Sequence, residues 1–96
     1  MTLPIRVRQR AEADIVDAYA WYDARAIGLG EAFLRAVDAC MARIARDPEA
    51  YVIVHERVHR ARLRRFPYSV FYVIREDALD VLAVYHGRRR PRRFDP

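Results

Sequence analysis

Guanidinium groups, imidazoles and phenols supply most of the reactive chemistry in this chain. Cleavage of RNA by its own 2′-hydroxyl needs a base for the hydroxyl proton, a cation for the phosphorane charge and an acid for the leaving oxygen. By type, Glu56 and His86 qualify as the base, Arg62, Arg65 and Arg89 as the cation, and Tyr68, Tyr85 and His86 as the acid. Such nominees come cheaply, because eighteen arginines and six tyrosines in 96 residues would furnish them for almost any phosphoryl chemistry. The display of arginine is more informative. Arg60, Arg62 and Arg64 alternate with Ala61 and Leu63, and Arg88, Arg89, Arg90, Arg92 and Arg93 crowd around Pro91 just after His86. Pro91 stiffens this second run and Phe94 offers it an apolar anchor, which suits docking, while the plain alternative is a solvated tail.

Two further chemistries are weaker. A metal site from His55, Glu56 and His59 would need helical geometry, which Val52, Ile53 and Val54 disfavour, and the single Cys40 cannot complete a thiolate set. Neither a metal nor another cofactor is expected. His86 falls where the last strand should end, and there it either presents its imidazole at the sheet edge or bonds a backbone carbonyl and orders the tail.

Charge is unevenly spread. Residues 1–50 carry seven arginines against eight acids, whereas residues 51–96 carry eleven against five, so the net +5 resides in the second half. A basic half of this kind suits a phosphate backbone or an acidic protein. No lysine is present, which favours planar, bidentate contacts, although genome base composition explains the bias equally well. The lone cysteine fits a reducing compartment, the start lacks a signal-peptide core, and no apolar run approaches the ~20 residues that span a bilayer. A cytoplasmic protein with no membrane partner is expected.

The elements that must position these residues follow from periodicity. Ile5 and Val7 alternate with Arg6 and Arg8, predicting a short strand over residues 5–9. Ala11, Ile15, Ala18, Tyr19 and Tyr22 then form an amphipathic stripe, with Trp21 off it and free to cap the hairpin or meet a partner. Gly28 and Gly30 interrupt that helix, and Phe33, Val37, Cys40, Met41 and Ile44 repeat the same stripe until Asp47-Pro48 ends it. Residues 49–59 read either as a short strand or as an apolar loop over the hairpin. Three strands follow, around residues 60–64, 68–74 and 79–85, joined by short links as in an antiparallel meander. The expected fold is α+β, in the order β-α-α-β-β-β, with a helical hairpin packed on a small antiparallel sheet. It occupies residues 1–96 as a single domain, with 88–96 a basic tail. Phe71, Val73, Leu82 and Val84 lie on the opposite strand phase from Tyr72, Ile74, Val81 and Ala83, so one set should face away from the helices and await a partner.

The chain resembles the RelE/ParE toxin superfamily of type II toxin–antitoxin systems, specifically its ParE-like branch. The resemblance rests on the element order, on Ile44-Ala-Arg-Asp-Pro48, on Arg64-Arg-Phe-Pro-Tyr-Ser-Val-Phe-Tyr72, and on the ending from Val84 to Phe94. That ending matches the pattern of His86, two residues, Arg89, one residue, Pro91, two residues and Phe94 in the place of Trp or Phe. The resemblance implies a toxin that inhibits DNA gyrase without chemistry of its own and is neutralised by a cognate acidic antitoxin. Arg60, Arg62, Arg64, His86, Arg88, Arg89, Arg90 and Phe94 would then form the surface for target or partner. One alternative is a RelE-like endoribonuclease that cuts messenger RNA on the ribosome with Arg65, His86 and Arg89. The absence of lysine departs from the basic sites typical of such nucleases. Another alternative is a basic binding module without toxicity.

Overall fold

The computed structural model describes residues 2–86. Strand β1 (Ile5–Val7) leads into helices α1 (Gln9–Asp23) and α2 (Leu29–Arg46), and a 3-10 turn at Pro48–Ala50 follows. Strands β2 (Ile53–His55), β3 (Val58–Arg62), β4 (Tyr68–Ile74) and β5 (Leu79–His86) complete the order. The uncertain segment before residue 60 thus holds both a turn and an edge strand. Asp47 leaves the helical region before Pro48, as the proline demands.

The five strands form one sheet in the order β1-β5-β4-β3-β2. The last four make the expected antiparallel meander, but β1 lies parallel to β5, with Ile5 opposite Leu79 and Val7 opposite Val81. The sheet is therefore mixed. A parallel neighbour requires a long crossover, which the helical hairpin and the intervening strands supply together.

The two helical stripes meet the sheet as their spacing requires. Ala11, Ala18, Phe33, Val37, Cys40 and Ile44 are buried against Val70, Tyr72, Leu79, Val81 and Val84. At the hairpin end, Tyr22 and Phe33 stack at 5.4 Å, and Phe66 and Tyr68 set their edges against both rings. The two glycines do different work from simple helix closure. Helix α1 ends at Asp23, Gly28 (φ 84°) provides the left-handed residue that starts α2, and Gly30 sits inside the first turn of α2. A Cβ on Gly30 would lie 2.9 Å from the Tyr19 ring, so its bare backbone sets how closely the helices approach.

The strand phases of β5 differ from the simple alternation expected. Its register with β4 shifts between Phe71 and Tyr72, where Phe71 pairs with Ala83 and Tyr72 with Val81, leaving Leu82 as the extra residue of a bulge. One inserted residue exchanges the faces of everything beyond it. Val84 consequently joins the helix-side core, and Ala83 joins Val58, Phe71, Val73, Leu82 and Tyr85 in a second cluster. That cluster is not an open face awaiting a partner: Phe71 is only 6% exposed, Leu82 4% and Val73 2%.

Candidate functional site

Strand β2 is too short to cover its neighbour. It pairs with the first half of β3, where Ile53 faces His59 and the Arg60 N–H donates to Val52 O at 2.9 Å. Beyond that point no strand among the described residues lies beside the outer edge of β3. Helix α2 borders the gap instead, with Arg43 Nη2 donating to Arg62 O at 3.1 Å and the Cys40 thiol lying 3.8 Å from the same oxygen. The result is a groove of about 450 Å³ lined by Arg43, Tyr51, Val52, Arg60, Arg62 and Arg64. Arg60 lies opposite Phe71 and Arg62 opposite Ser69, so both project from the sheet face away from the helices. No ion pair to a carboxylate engages any of these four arginines among the described residues. Arg60 Nε is buried with no hydrogen-bond acceptor among the described residues.

The alternating arginines of the sequence thus border one groove, although Arg64 has left the strand and stands in the β3–β4 loop. Arg43 was not foreseen, because it belongs to a helix whose inward stripe gives no hint of the sheet edge it reaches. Arg65 follows in the same loop with φ 72°, a left-handed conformation uncommon for a side chain larger than asparagine. Phe66, held in the aromatic cluster, anchors this loop.

His86 lies elsewhere. It ends β5 with its ring 5.5 Å from that of Tyr68, and it lines a separate cleft of about 360 Å³ with Asp14, Asp17, Trp21, Tyr68 and Tyr85. Asp14 Oδ2 accepts the Val84 N–H at 3.0 Å, tying α1 to β5 at the cleft floor. Trp21 is half exposed, with the Arg25 guanidinium 3.4 Å above its ring, a cation–π pair on the outer side of α1. Arg88, Arg89, Arg90 and Phe94 lie outside the described residues.

Of the nominees for RNA cleavage, His86, Tyr68 and Tyr85 line this one cleft, Arg62 lines the other, and Arg89 lies outside the described residues. Glu56 stands in the β2–β3 turn beside His55 at 3.7 Å, Tyr85 is buried and stacked on Phe71, and Arg65 lines neither cleft. Nor do His55, Glu56 and His59 converge on a metal. His59 turns inward, stacks on Tyr72 at 5.1 Å and bonds Tyr51 O through Nδ1 at 2.7 Å. Among the described residues no three His, Cys, Asp or Glu side chains come together. The Tyr72 hydroxyl donates to Pro48 O at 2.6 Å, and burial pushes its pKa well above the ordinary phenol value.

Sequence reading missed an ionic cluster at the opposite edge. Asp80 is fully buried and receives Arg6 Nε at 2.6 Å, Arg75 Nε at 2.9 Å and Arg8 Nη2 at 3.1 Å. The Arg6 hydrogen bond outweighs the opposing effect of burial and, helped by Arg75 and Arg8, holds the carboxyl at about 2. An acid inside the apolar run Leu79–Leu82 was the available signal.

Comparison with known proteins agrees with this architecture. The family model described as the ParE toxin of type II toxin-antitoxin system, parDE, matches residues 5–91. Toxin ParE2 of Mycobacterium tuberculosis strain H37Rv is 34% identical over 92 residues, spanning 95% of this chain and 88% of the relative. Toxin ParE2 of strain CDC 1551 / Oshkosh gives the same figures. A solved structure, the chromosomal ParDE TA system from P. aeruginosa, shares the fold with a TM-score of 0.68 at 19% identity, covering 88% of this chain and 96% of that one. Matched along nearly all of its length, the chain belongs to the ParE toxin family of type II toxin–antitoxin systems.

Proposed function

We propose that the chain inhibits DNA gyrase by binding, without catalysis, and that a cognate acidic antitoxin neutralises it. Family membership implies the antitoxin; the gyrase target and the acidic character of the partner are this proposal's own. The observation that carries it is the open groove lined by Arg43, Arg60, Arg62 and Arg64, none of which pairs with a carboxylate among the described residues. Such a surface attracts polyanions and acidic proteins over several ångströms but contains no titrating pair for proton transfer. The protein would act in the cytoplasm, where gyrase and DNA reside. Among the described residues no helix is long and apolar enough to cross a membrane.

The test is supercoiling of relaxed plasmid by purified gyrase, run beside a ribosome-bound messenger RNA. Inhibition of supercoiling that the antitoxin relieves, with the message left intact, is the expected result. Cut message with unimpaired supercoiling would replace this reading with the endoribonuclease, and no effect in either assay would leave a basic binding module.

A further inference from the structure

The sheet face turned away from the helices is buried, yet no second layer among the described residues buries it. Val58, Phe71, Val73, Leu82, Ala83 and Tyr85 cluster there, none more than 6% exposed, and all six belong to the sheet's own strands. Both helices lie on the opposite face, against Val70, Tyr72 and Val81. A sheet with one solvated face leaves the side chains there partly in water. Arg6, Arg8 and Arg75 do not supply the cover, because all three gather on Asp80 at one end. At the other margin Arg60, which lies opposite Phe71, has its Nε buried as well. The isolated chain already buries this face, so the cover comes from the chain itself and not from a partner. We infer that residues 88–96 form it: the basic tail folds back along β5 as an extended strap and seats Phe94 on Leu82 and Phe71.

Position, reach and pattern all suit this segment. Strand β5 ends at His86, and Gly87 follows, a residue free to reverse the chain. Leu82 lies four residues back along β5, about 14 Å at ~3.4 Å per residue. Phe94 lies seven residues beyond Gly87, and Pro91 holds itself and the residue before it extended. In a polyproline conformation the segment reaches about 22 Å, which leaves length for the turn. That conformation repeats every three residues, so Pro91 and Phe94 share one side of the strap while Arg89, Arg90, Arg92 and Arg93 point off it. Burial of the Phe94 ring supplies the driving force. The strap carries its arginines over the face from which Arg60 and Arg62 project, and thereby joins two runs that the sequence separates into one basic surface.

The experiment is NMR of the full chain with its Leu and Val methyl groups isotopically labelled, in a concentrated and a dilute sample. A nuclear Overhauser contact between the Phe94 ring and the Leu82 methyls, unchanged on dilution, is the expected result. Phe94→Ala should shift the Leu82 and Val73 resonances and leave those of Val37, on the helix side, in place. The same variant should bind the dye ANS more strongly, as exposed apolar surface does, whereas Phe94→Leu keeps an apolar anchor and should not. The wild-type contact is read without any substitution, so the test stands even if Phe94→Ala does not fold. Absence of that contact in the folded wild type would overturn the inference, as would unmoved Leu82 and Val73 resonances in folded Phe94→Ala. A contact seen only between molecules, in a mixture of labelled and unlabelled protein, would overturn it too and assign the face to a second copy of the chain.

Discussion

Arg6 and Asp80 face each other across the parallel pairing of β1 with β5, with Arg6 Nε 2.6 Å from Asp80 Oδ1. Arg8 from the same edge and Arg75 from the β4–β5 turn converge on the other carboxylate oxygen. Three positive side chains thus neutralise one fully buried charge, and they fasten the parallel strand of the sheet to its neighbour. Strand β1 spans only three residues, so few ladder hydrogen bonds are available for that purpose.

Replacing Asp80 with Asn should therefore cost more than a surface ion pair. Breaking a buried pair typically costs 3–5 kcal/mol, but these arginines remain between one quarter and one half exposed, which lowers the expectation to roughly 2–3 kcal/mol. The sign of the pH dependence follows from the depressed carboxyl. Its folded pKa of about 2 lies below the ordinary ~3.9, so the stabilisation is complete above about pH 4 and is lost as pH falls towards 2. Urea midpoints of both proteins at pH 7 and near pH 2 check this. A gap that stays constant across that range would show that the charge of Asp80 is not what matters.

Phe33 lies at the centre of the aromatic cluster, fully buried between Tyr22, Phe66 and Tyr68. Phe33→Ala is expected to destabilise by roughly 3–5 kcal/mol, a large part of what a domain this small possesses. Chemical denaturation at neutral pH measures it directly. A cost below about 1 kcal/mol would mean that the ring is not the keystone of the hairpin.

Gly30 sets two effects against each other. Alanine in a helix is favoured over glycine by about 1 kcal/mol, yet its Cβ would press on the Tyr19 ring at 2.9 Å, and overpacking of this sort costs roughly 1–3 kcal/mol. Gly30→Ala should be neutral to destabilising in the native protein. In a Tyr19→Ala background the ring contact is gone and only the Asp23 Cβ at 3.0 Å remains close, so the same substitution should be less costly there by about 1 kcal/mol or more. A double-mutant cycle reads the difference, and equal effects in both backgrounds would remove the approach of the Tyr19 ring as the reason for glycine.

How much of this was legible in the sequence varied with the range of the interaction. The stripes through Ala11 and Ala18 and through Phe33 to Ile44 were readable because a helix carries its burial pattern within a few residues. The parallel partnership of β1 with β5 was not, since three residues give no signal of direction and their partner lies more than seventy positions away. Leu82 shows the same limit at short range. A strand apolar on both phases looks identical with or without a bulge, so nothing local marks where Val84 and Ala83 exchange faces. Arg60, Arg62 and Arg64 were recognisable as a display by their alternation, but Arg43 joins them only through the crossing of α2 over the sheet edge. His86 and Arg65 were grouped by residue type, and the fold sets His86 in a cleft that Arg65 does not line.

That separation bears on catalysis, because binding and catalysis respond oppositely to the same two variants. His86 shares its cleft with Asp14, Asp17 and aromatic rings, while the described arginine groove stands apart from it. An inhibitor relies on charge spread over several guanidinium groups, each contributing modestly. A general acid or base cannot be replaced by an amide that does not titrate, and its loss costs something like 10²- to 10⁴-fold in rate. His86→Gln should accordingly leave growth inhibition by the expressed protein largely intact, and the purified wild type should leave naked RNA uncut. Replacing Arg88, Arg89 and Arg90 together with Ala should weaken inhibition. If His86→Gln abolishes toxicity in a protein that still folds and binds its antitoxin, and the wild type cuts ribosome-bound message, the chain is an endoribonuclease and the ranking of the two variants reverses.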